Sequence, residues 1–176
     1  MDVTVITPTI PDRVDLLREA ICSVAQQTEP VKGHLIGVDS LGEGPSPVRN
    51  KLIKSVDTEW IAFLDDDDIL FGNHFEVVSQ HQNDADLIWT WCSSIGRGNF
   101  NPNSHFNEQR LRSDGNYIPI TVTLRTELFR RVGGFSDARL EDWDLWIRLL
   151  DAGARFKCEP TVTWQYRFLG NNRTFS

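Results

Sequence analysis

The feature that most constrains the fold is a regular alternation of short β-rich runs with longer helical segments. Apolar runs typical of buried strands occupy residues 3–7, 34–38, 60–64 and 86–91. Segments with the apolar spacing of amphipathic helices lie between them, at residues 13–27, 46–56 and 71–82. Asp12 is placed to cap the first of these helices. Strand–helix–strand alternation predicts an α/β fold with a mainly parallel sheet flanked by helices.

The second half of the chain is less regular. Periodicity is lost across residues 92–117, which are rich in Asn, Ser and Gly, and we predict a functional or flexible loop there. A β-like run at 117–124, helices at 126–132 and 141–152, and two β-like segments at 154–158 and 162–168 follow.

Composition bounds the class of protein. The 176 residues are 40% hydrophobic, which suits one globular domain spanning residues 1–176. A net charge of -7 without a basic cluster argues against binding to a nucleic-acid backbone. No apolar run is long enough for a transmembrane segment, and the N-terminus reads as a strand rather than a signal peptide. Three widely spaced cysteines fit a reduced, cytoplasmic setting.

Four consecutive aspartates, Asp65 to Asp68, follow the third predicted strand in the stretch "EWIAFLDDDDILFG". Hard carboxylate oxygens suit Mg²⁺ or Mn²⁺, and those ions keep open positions for phosphate oxygens. The run therefore predicts a metal-bound diphosphate as ligand. The alternative interpretation is an acid-tolerant helix N-terminus with Asp68 as its cap.

Two further polar clusters, "TPTIPDR" and "DSLGEG", also follow predicted strands. Ligands of α/β sheets bind beyond the carboxyl ends of the strands, so these clusters predict one site along one sheet edge. Asp39 has the chemistry to accept from a nucleobase ring N–H, or to cap a loop. Arg49 is expected to pair with phosphate or with an aspartate, or to form an ordinary surface salt bridge.

The stretch "LEDWDLWIRLLDAG", residues 140–153, adds a second acidic pair. Glu141 and Asp142 fall in the first turn of a predicted helix, where acids stabilise the helix end. They also suit a general base at the rim of a pocket. Trp143 offers either a face for an acceptor sugar or a core side chain. The four histidines are scattered along the chain, and surface positions are expected for them.

Three segments together resemble the inverting GT-A-fold glycosyltransferases of the family 2 type. "VITPTIPDRVDLLREAICSVAQQT" is similar to the opening strand and helix of that family, and "SPVRNKLIKSVDTEWIAFLDDDDIL" to its arginine-asparagine helix and acidic metal motif. "TLRTELFRRVGGFSDARLEDWDLWIRLLDAG" is similar to the segment that ends in the Glu-Asp base motif. The resemblance implies a GT-A (Rossmann-like) fold over nearly the whole chain.

The resemblance also implies roles for individual residues. Contacts to the nucleotide, its ribose and its diphosphate fall to Thr7, Pro8, Thr9, Asp39, Arg49, Asp65 and Asp66. Asp67 is the implied direct metal ligand, with Asp65 in the metal shell. Asp142 is the implied catalytic base, and Glu141 orients the acceptor.

The implied function is metal-dependent, inverting transfer of a sugar from a nucleoside-diphosphate sugar to an acceptor hydroxyl by a hexosyltransferase-like enzyme. Mn²⁺ or Mg²⁺ is the expected cofactor and UDP the commonest donor nucleotide. The sequence departs from the family at Ile10, where many relatives carry an aromatic residue, and at Leu169, which replaces a histidine. Protein ligation of the metal is therefore expected to rest on Asp67, completed by phosphate and water.

Two alternatives remain at this point. One is a nucleotide-sugar or glycan-binding module without turnover, which the departures at Ile10 and Leu169 favour. The other is a phosphatase of the haloacid dehalogenase type, which also places acidic residues after an apolar strand. That chemistry prefers Thr or Val where this chain has Ile69, and it gives the Glu-Asp helix no role.

Overall fold

A computed structural model describes residues 1–96 and 104–169, which form one seven-stranded sheet flanked by helices. The strands are β1 (Val3–Thr9), β2 (Gly33–Val38), β3 (Trp60–Phe63), β4 (Ile69–Leu70), β5 (Leu87–Gly96), β6 (Val122–Arg125) and β7 (Phe156–Phe168). The helices are α1 (Val14–Ala25), α2 (Pro45–Ile53), α3 (His74–Ser79), α4 (Glu108–Ser113), α5 (Thr126–Arg131) and α6 (Glu141–Asp151).

The strand order is β2-β1-β3-β6-β5-β7-β4. β1 runs parallel to β2 and β3, and β5 runs parallel to β7. β6 is antiparallel to both of its neighbours, and β4 is antiparallel to β7. The α/β sheet flanked by helices is confirmed, although it is mixed and carries fewer parallel pairs than the sequence predicts.

Both faces of the sheet are buried, which explains the nearly continuous apolar runs of its strands. In β3, Ile61 and Phe63 enter the core on one side of the sheet, whereas Trp60 and Ala62 enter the core on the other. This alternation is the two-residue period of a strand. The acidic run therefore leaves β3 from a rigid position in the centre of the sheet.

Several element boundaries differ from the predictions. The segment 92–117 is not one loop: β5 continues to Gly96, and residues 108–113 form α4. Residues 97–103 of that segment lie outside the described residues. Asp12 does not cap α1, because it lies in a 3-10 turn, Pro11–Arg13, that precedes the helix. Asp68 does not cap a helix either, because β4 follows it directly.

The two β-like segments near the C-terminus are one strand, β7, with register shifts opposite residues 90–92 of β5. Its first part extends the central sheet. Its second part pairs with the end of β5 and with β4, immediately after the acidic run. The acidic run therefore begins at the end of β3 and is followed by a strand, β4, that pairs with β7.

Candidate active site

The acidic run bends tightly as it leaves β3. The backbone N–H of Leu64 still donates to the carbonyl of Ile6 at 3.2 Å, and that of Asp68 then donates to the carbonyl of Asp65 at 3.2 Å. A turn of this kind releases the side chains from the strict alternation of a strand. The four carboxylates consequently differ in burial and in their partners, except that Asp66 and Asp67 share Arg13.

Asp65 forms an ion pair with Arg49 of α2. Arg49 is only 3% exposed, and its guanidinium lies 5.8 Å from the ring centre of Phe63 and 5.5 Å from that of Phe135. The side chain of Asp65 keeps 34% of its surface exposed. The surface salt bridge considered for Arg49 is therefore wrong, because its cation is held in a buried aromatic cradle.

Asp66 is almost completely buried and accepts two side-chain hydrogen bonds. The hydroxyl of Thr9 donates to its Oδ2 at 2.6 Å, and Nη1 of Arg13 donates to its Oδ1 at 2.8 Å. The same Arg13 nitrogen also donates to Oδ2 of Asp67 at 3.1 Å. Arg13 thus bridges two adjacent carboxylates from the turn that follows β1.

Burial and mutual repulsion change the acidity of this run. Burial, together with the charge of Asp65, raises the pKa of Asp67 to about 6. Burial also raises the pKa of Asp68 well above its ordinary value, although the backbone N–H of Arg167 donates to this carboxyl at 3.0 Å. Asp68 therefore helps to anchor the run to β7, whereas Asp65 and Asp67 are the carboxylates nearest to solvent.

Asn50, the residue after Arg49, connects α2 to the turn before α6. Its amide donates to the carbonyl of Phe135 at 2.8 Å and accepts from the N–H of the same residue at 3.0 Å. Phe135 in turn packs against Phe63 of β3 at 5.3 Å between ring centres. In α2, Arg49 thus pairs with the acidic run, and Asn50 bonds to the turn that precedes α6.

Asp142 lies in the first turn of α6 and is held at both oxygens. The backbone N–H of Trp143 donates to Oδ1 at 2.8 Å, and the side-chain amide of Asn116 donates to Oδ2 at 2.7 Å. Burial raises the pKa of Asp142, and the charge of Glu141 adds to this shift. The charge of Arg49 opposes it, so Arg49 acts electrostatically on Asp142 while it pairs with Asp65.

The residues expected around the nucleotide are placed unequally. The Thr9 hydroxyl reaches the acidic run, but Thr7 is fully buried and its hydroxyl bonds to Nε2 of His34 at 2.8 Å. Pro8 is also buried within β1. The side chain of Thr7 therefore faces the interior of the sheet and not a ligand.

Asp39 caps the loop that follows β2. Its carboxylate accepts from the backbone N–H of Glu43 at 2.9 Å and of Gly44 at 2.7 Å, and these bonds lower its pKa. It borders a cavity of about 250 Å³ that is also lined by Val38, Ser40 and Lys51. The loop-cap interpretation thus describes the contacts seen, and the carboxylate oxygens retain further acceptor capacity.

Trp143 belongs largely to the core. Its indole N–H donates to the carbonyl of Leu111 at 2.7 Å, and its ring packs against the main apolar cluster. The sequence analysis left a core role and a sugar-binding role equally open, and these contacts favour the core role.

Two residues of this site escaped sequence analysis. Arg13 stands in a short loop motif whose only visible signal was its place after β1, and Asn116 stands in a stretch without periodicity. Both reach their carboxylates from far along the chain, which no local pattern reveals.

The residues fit a divalent cation, although not through a preformed cage. In residues 1–96 and 104–169, no group of three or more His, Cys, Asp or Glu side chains is arranged to hold a metal ion. Asp65 and Asp67 nevertheless offer hard oxygen donors of the type that Mg²⁺ and Mn²⁺ prefer. Burial and then the neighbouring charge of Asp65 raise the pKa of Asp67, and a bound cation would favour its charged form.

A mixed sheet of this order, with acidic residues beyond a central strand and a second acidic pair at the start of α6, defines a GT-A glycosyltransferase. The chain belongs to glycosyl transferase family 2, whose model matches residues 40–141, more than half of the sequence. This membership removes the phosphatase alternative. No curated protein sequence matches the chain significantly.

Solved structures confirm the fold. S. aureus TarS 1-349 in complex with UDP-GlcNAc matches with a TM-score of 0.81 and 16% identity, over 100% of this chain and 61% of that one. The mannosyltransferase PcManGT from Pyrobaculum calidifontis, in complex with GDP-Man and Mn²⁺, matches with a TM-score of 0.67 and 16% identity, over 93% of this chain and 56% of that one. The chain thus spans about three fifths of the length of TarS 1-349.

Proposed function

We propose that this domain transfers a sugar from a nucleoside-diphosphate sugar to an acceptor hydroxyl, with inversion at the anomeric carbon. The observation that carries the proposal is the pair Arg49 and Asn50 of α2: Arg49 pairs with Asp65, and Asn50 bonds to Phe135 in the turn that precedes α6. These neighbouring residues connect the acidic run beyond β3 to the segment that leads into α6. A donor diphosphate and an acceptor hydroxyl would then meet in one cleft.

In this proposal the donor lies along the carboxyl ends of β1, β2 and β3. Asp39 accepts from the ring N–H of the base, and Pro8 and Thr9 support the nucleotide. Asp66, whose carboxylate is held by Thr9 and Arg13, is the proposed contact to the ribose. UDP is the first donor nucleotide to test, because the TarS complexes contain UDP-GlcNAc and UDP. GDP is the second, because guanine, like uracil, presents a ring N–H to a carboxylate.

A divalent cation fits beside Asp65 and Asp67, where it would neutralise the leaving diphosphate as a Lewis acid, an effect worth several kcal/mol. Mn²⁺ is the first ion to test, since the PcManGT complex contains it. Arg49 and Arg13 supply fixed positive charge on the same side of the site.

Asp142 is the proposed general base. As the acceptor oxygen forms its bond to the anomeric carbon, the bond from that carbon to the diphosphate oxygen breaks, and the hydroxyl proton passes to Asp142. One displacement of this kind inverts the anomeric centre. Glu141 is proposed to orient the acceptor beside it, and a positioned base contributes roughly 10²–10⁴-fold to such a step.

The test combines donor binding with turnover. Thermal-shift titration of UDP, GDP and dTDP with and without Mn²⁺ identifies the nucleotide, and its sugar conjugates are then assayed for nucleotide release. We expect Asp142→Asn to bind the donor as wild type does and to lose about 10²-fold or more in turnover. An Asp151→Asn variant, changed at the other end of α6, should keep both properties.

Two results would count against the proposal. Turnover that survives in Asp142→Asn would remove Asp142 as the base. Metal-dependent donor binding without turnover by wild type, over a broad panel of donors and acceptors, would instead indicate the binding module.

A further inference from the structure

Asn116, in the connection between α4 and β6, contacts the proposed base at the start of α6. Its Nδ2 donates to Oδ2 of Asp142 at 2.7 Å, and its Oδ1 accepts from the N–H of Ile118 at 3.0 Å. An amide can fill both contacts in only one orientation, because its nitrogen only donates and its oxygen only accepts. The direction of the bond is therefore fixed: Asn116 donates and Oδ2 of Asp142 accepts.

The backbone on either side holds Asn116 in place. Gly115, the residue before it, adopts a φ of 112°, a conformation that residues with side chains rarely tolerate. Tyr117 is buried, and its hydroxyl bonds to both the N–H and the carbonyl of Asn107. Ile118 is 1% exposed in the main core. The amide is thus anchored by packed neighbours and does not depend on a bound ligand.

This contact matters because the surroundings of Asp142 favour the protonated acid. Burial and the charge of Glu141 both oppose ionisation, and they are only partly opposed by the N–H of Trp143 and the charge of Arg49 of α2. A general base must be ionised before it can take a proton. A donor at 2.7 Å favours the charged form, and it also restricts rotation of the carboxylate.

We propose that Asn116 is a positioning residue that keeps the Asp142 carboxylate ionised and oriented for the acceptor hydroxyl. The inference rests on the proposed function only in treating Asp142 as the general base. The contact between Asn116 and Asp142 can be tested without any substrate. It assigns a task to a segment that sequence analysis treated as an unstructured loop.

The direct test is the titration of Asp142 by NMR, in protein labelled with ¹³C at the aspartate side-chain carboxyl. Asp142→Asn identifies the resonance by its loss. In Asn116→Ala we expect the pKa of Asp142 to rise by about one unit or more, because a hydrogen bond to the charged form is removed.

Asn116→Asp serves as a second variant of the same shape, in case the alanine variant folds poorly. Its carboxylate can still accept from Ile118, but it stands opposite Asp142 without a donor. Like charges at this distance share a proton, so the pair should titrate in two separated steps, one of them raised above the wild-type value. Asn107→Asp is the matched control, since it makes the same chemical change at an exposed residue and retains the cap of α4.

The outcomes separate the two proposals. An unchanged Asp142 titration in both Asn116 variants would overturn this inference, even if Asp142→Asn abolishes turnover. A raised pKa in both variants, beside an unchanged Asn107→Asp, would support it. If turnover survives in Asp142→Asn, the base assignment fails, while the titration still decides whether Asn116 controls the charge of this carboxylate.

Discussion

Single charged side chains decide how the acidic run can receive a ligand. Asp65, Asp66 and Asp67 face two guanidinium groups, those of Arg13 and Arg49, in a partly buried environment. The two arginines leave roughly one unit of negative charge unbalanced. A divalent ion bound in addition to the two arginines would bring the cluster to roughly one positive charge, which suits a diphosphate.

Arg13 is predicted to compete with the metal. In Arg13→Gln we expect Mn²⁺ alone to bind about tenfold more tightly, since repulsion between unit charges 4 Å apart is about 1 kcal/mol even in water and the ion carries two charges. Isothermal titration with MnCl₂ in the absence of nucleotide measures this directly.

The matched control is Arg18→Gln, which removes an exposed arginine of α1 that pairs only with its neighbour Asp15 among the contacts described. Its Mn²⁺ affinity should equal that of wild type. Weaker Mn²⁺ binding in Arg13→Gln would mean that Arg13 supports the shape of the metal site instead of opposing the ion.

The sequence predicts the chemistry of these residues better than their partners. Consecutive aspartates after a buried strand predict a ligand site, because their mutual repulsion is unfavourable unless a cation or another ligand compensates it. That Arg13 bridges Asp66 and Asp67, or that Thr7 turns towards His34, depends on how separate strands are juxtaposed. Local patterns carry no information about such contacts.

At the scale of elements, the turn between α5 and α6 determines where Asp142 stands. Gly134 has a φ of 73°, and its carbonyl accepts from Arg148 of α6 at 2.7 Å. A Cβ on Gly134 would lie 2.7 Å from Oδ1 of Asn50 and 3.1 Å from the ring of Phe129. The turn can therefore approach α2 closely only because this residue has no side chain.

Gly134→Ala is predicted to lower the free energy of unfolding by about 3 kcal/mol, from left-handed backbone strain together with overpacking. Gly133→Ala is the matched comparison, since Gly133 has a φ of 85° but open space around its Cβ position. It should cost about 1 kcal/mol, from strain alone. Chemical denaturation measures both, and equal losses would show that the contact with Asn50 has no energetic weight.

Elements with a strong local pattern are predicted well, and long-range pairings are not. β1, β3 and α6 follow directly from apolar periodicity. The antiparallel insertion of β6 between β3 and β5, and the joining of two β-like segments into β7, depend on pairings across many residues and on register shifts. α4 is missed because only Leu111 of its six residues is buried, which leaves no apolar stripe to detect.

At the scale of the whole molecule, burial of ionisable groups makes stability depend on pH. His74 is 3% exposed, and its Nδ1 bonds to the hydroxyl of Thr163, which also bonds to Thr90. The surface position expected for this histidine is therefore wrong. Burial lowers its pKa from 6.5 to about 3.

Because the folded protein resists protonation of His74 and the unfolded chain does not, acidification through the unfolded pKa favours unfolding. The stability that the fold gains from keeping His74 neutral is lost as the pH falls from about 6.5 towards 3. Between pH 7 and pH 5, we expect the free energy of unfolding of wild type to fall by about 2 kcal/mol more than that of His74→Gln. Denaturant titrations at the two pH values give this difference.

The comparison isolates His74 because the other buried groups are common to both proteins. Asp67 has a raised pKa and therefore the opposite sign, since acidification stabilises the fold as it is protonated near pH 6. That term cancels between wild type and variant. Parallel pH dependences of the two proteins would show that His74 does not set this behaviour.

The short distance along the chain between β3 and β4 has a consequence for engineering. β3 ends at Phe63 and β4 begins at Ile69, yet three other strands separate them in the sheet. The acidic run is thus anchored at both ends, and added residues would break the tight turn that joins Asp65 to Asp68. Loop grafting and domain insertion should fail there even when the inserted residues are harmless, which makes this stretch the point around which a redesigned donor specificity has to be built.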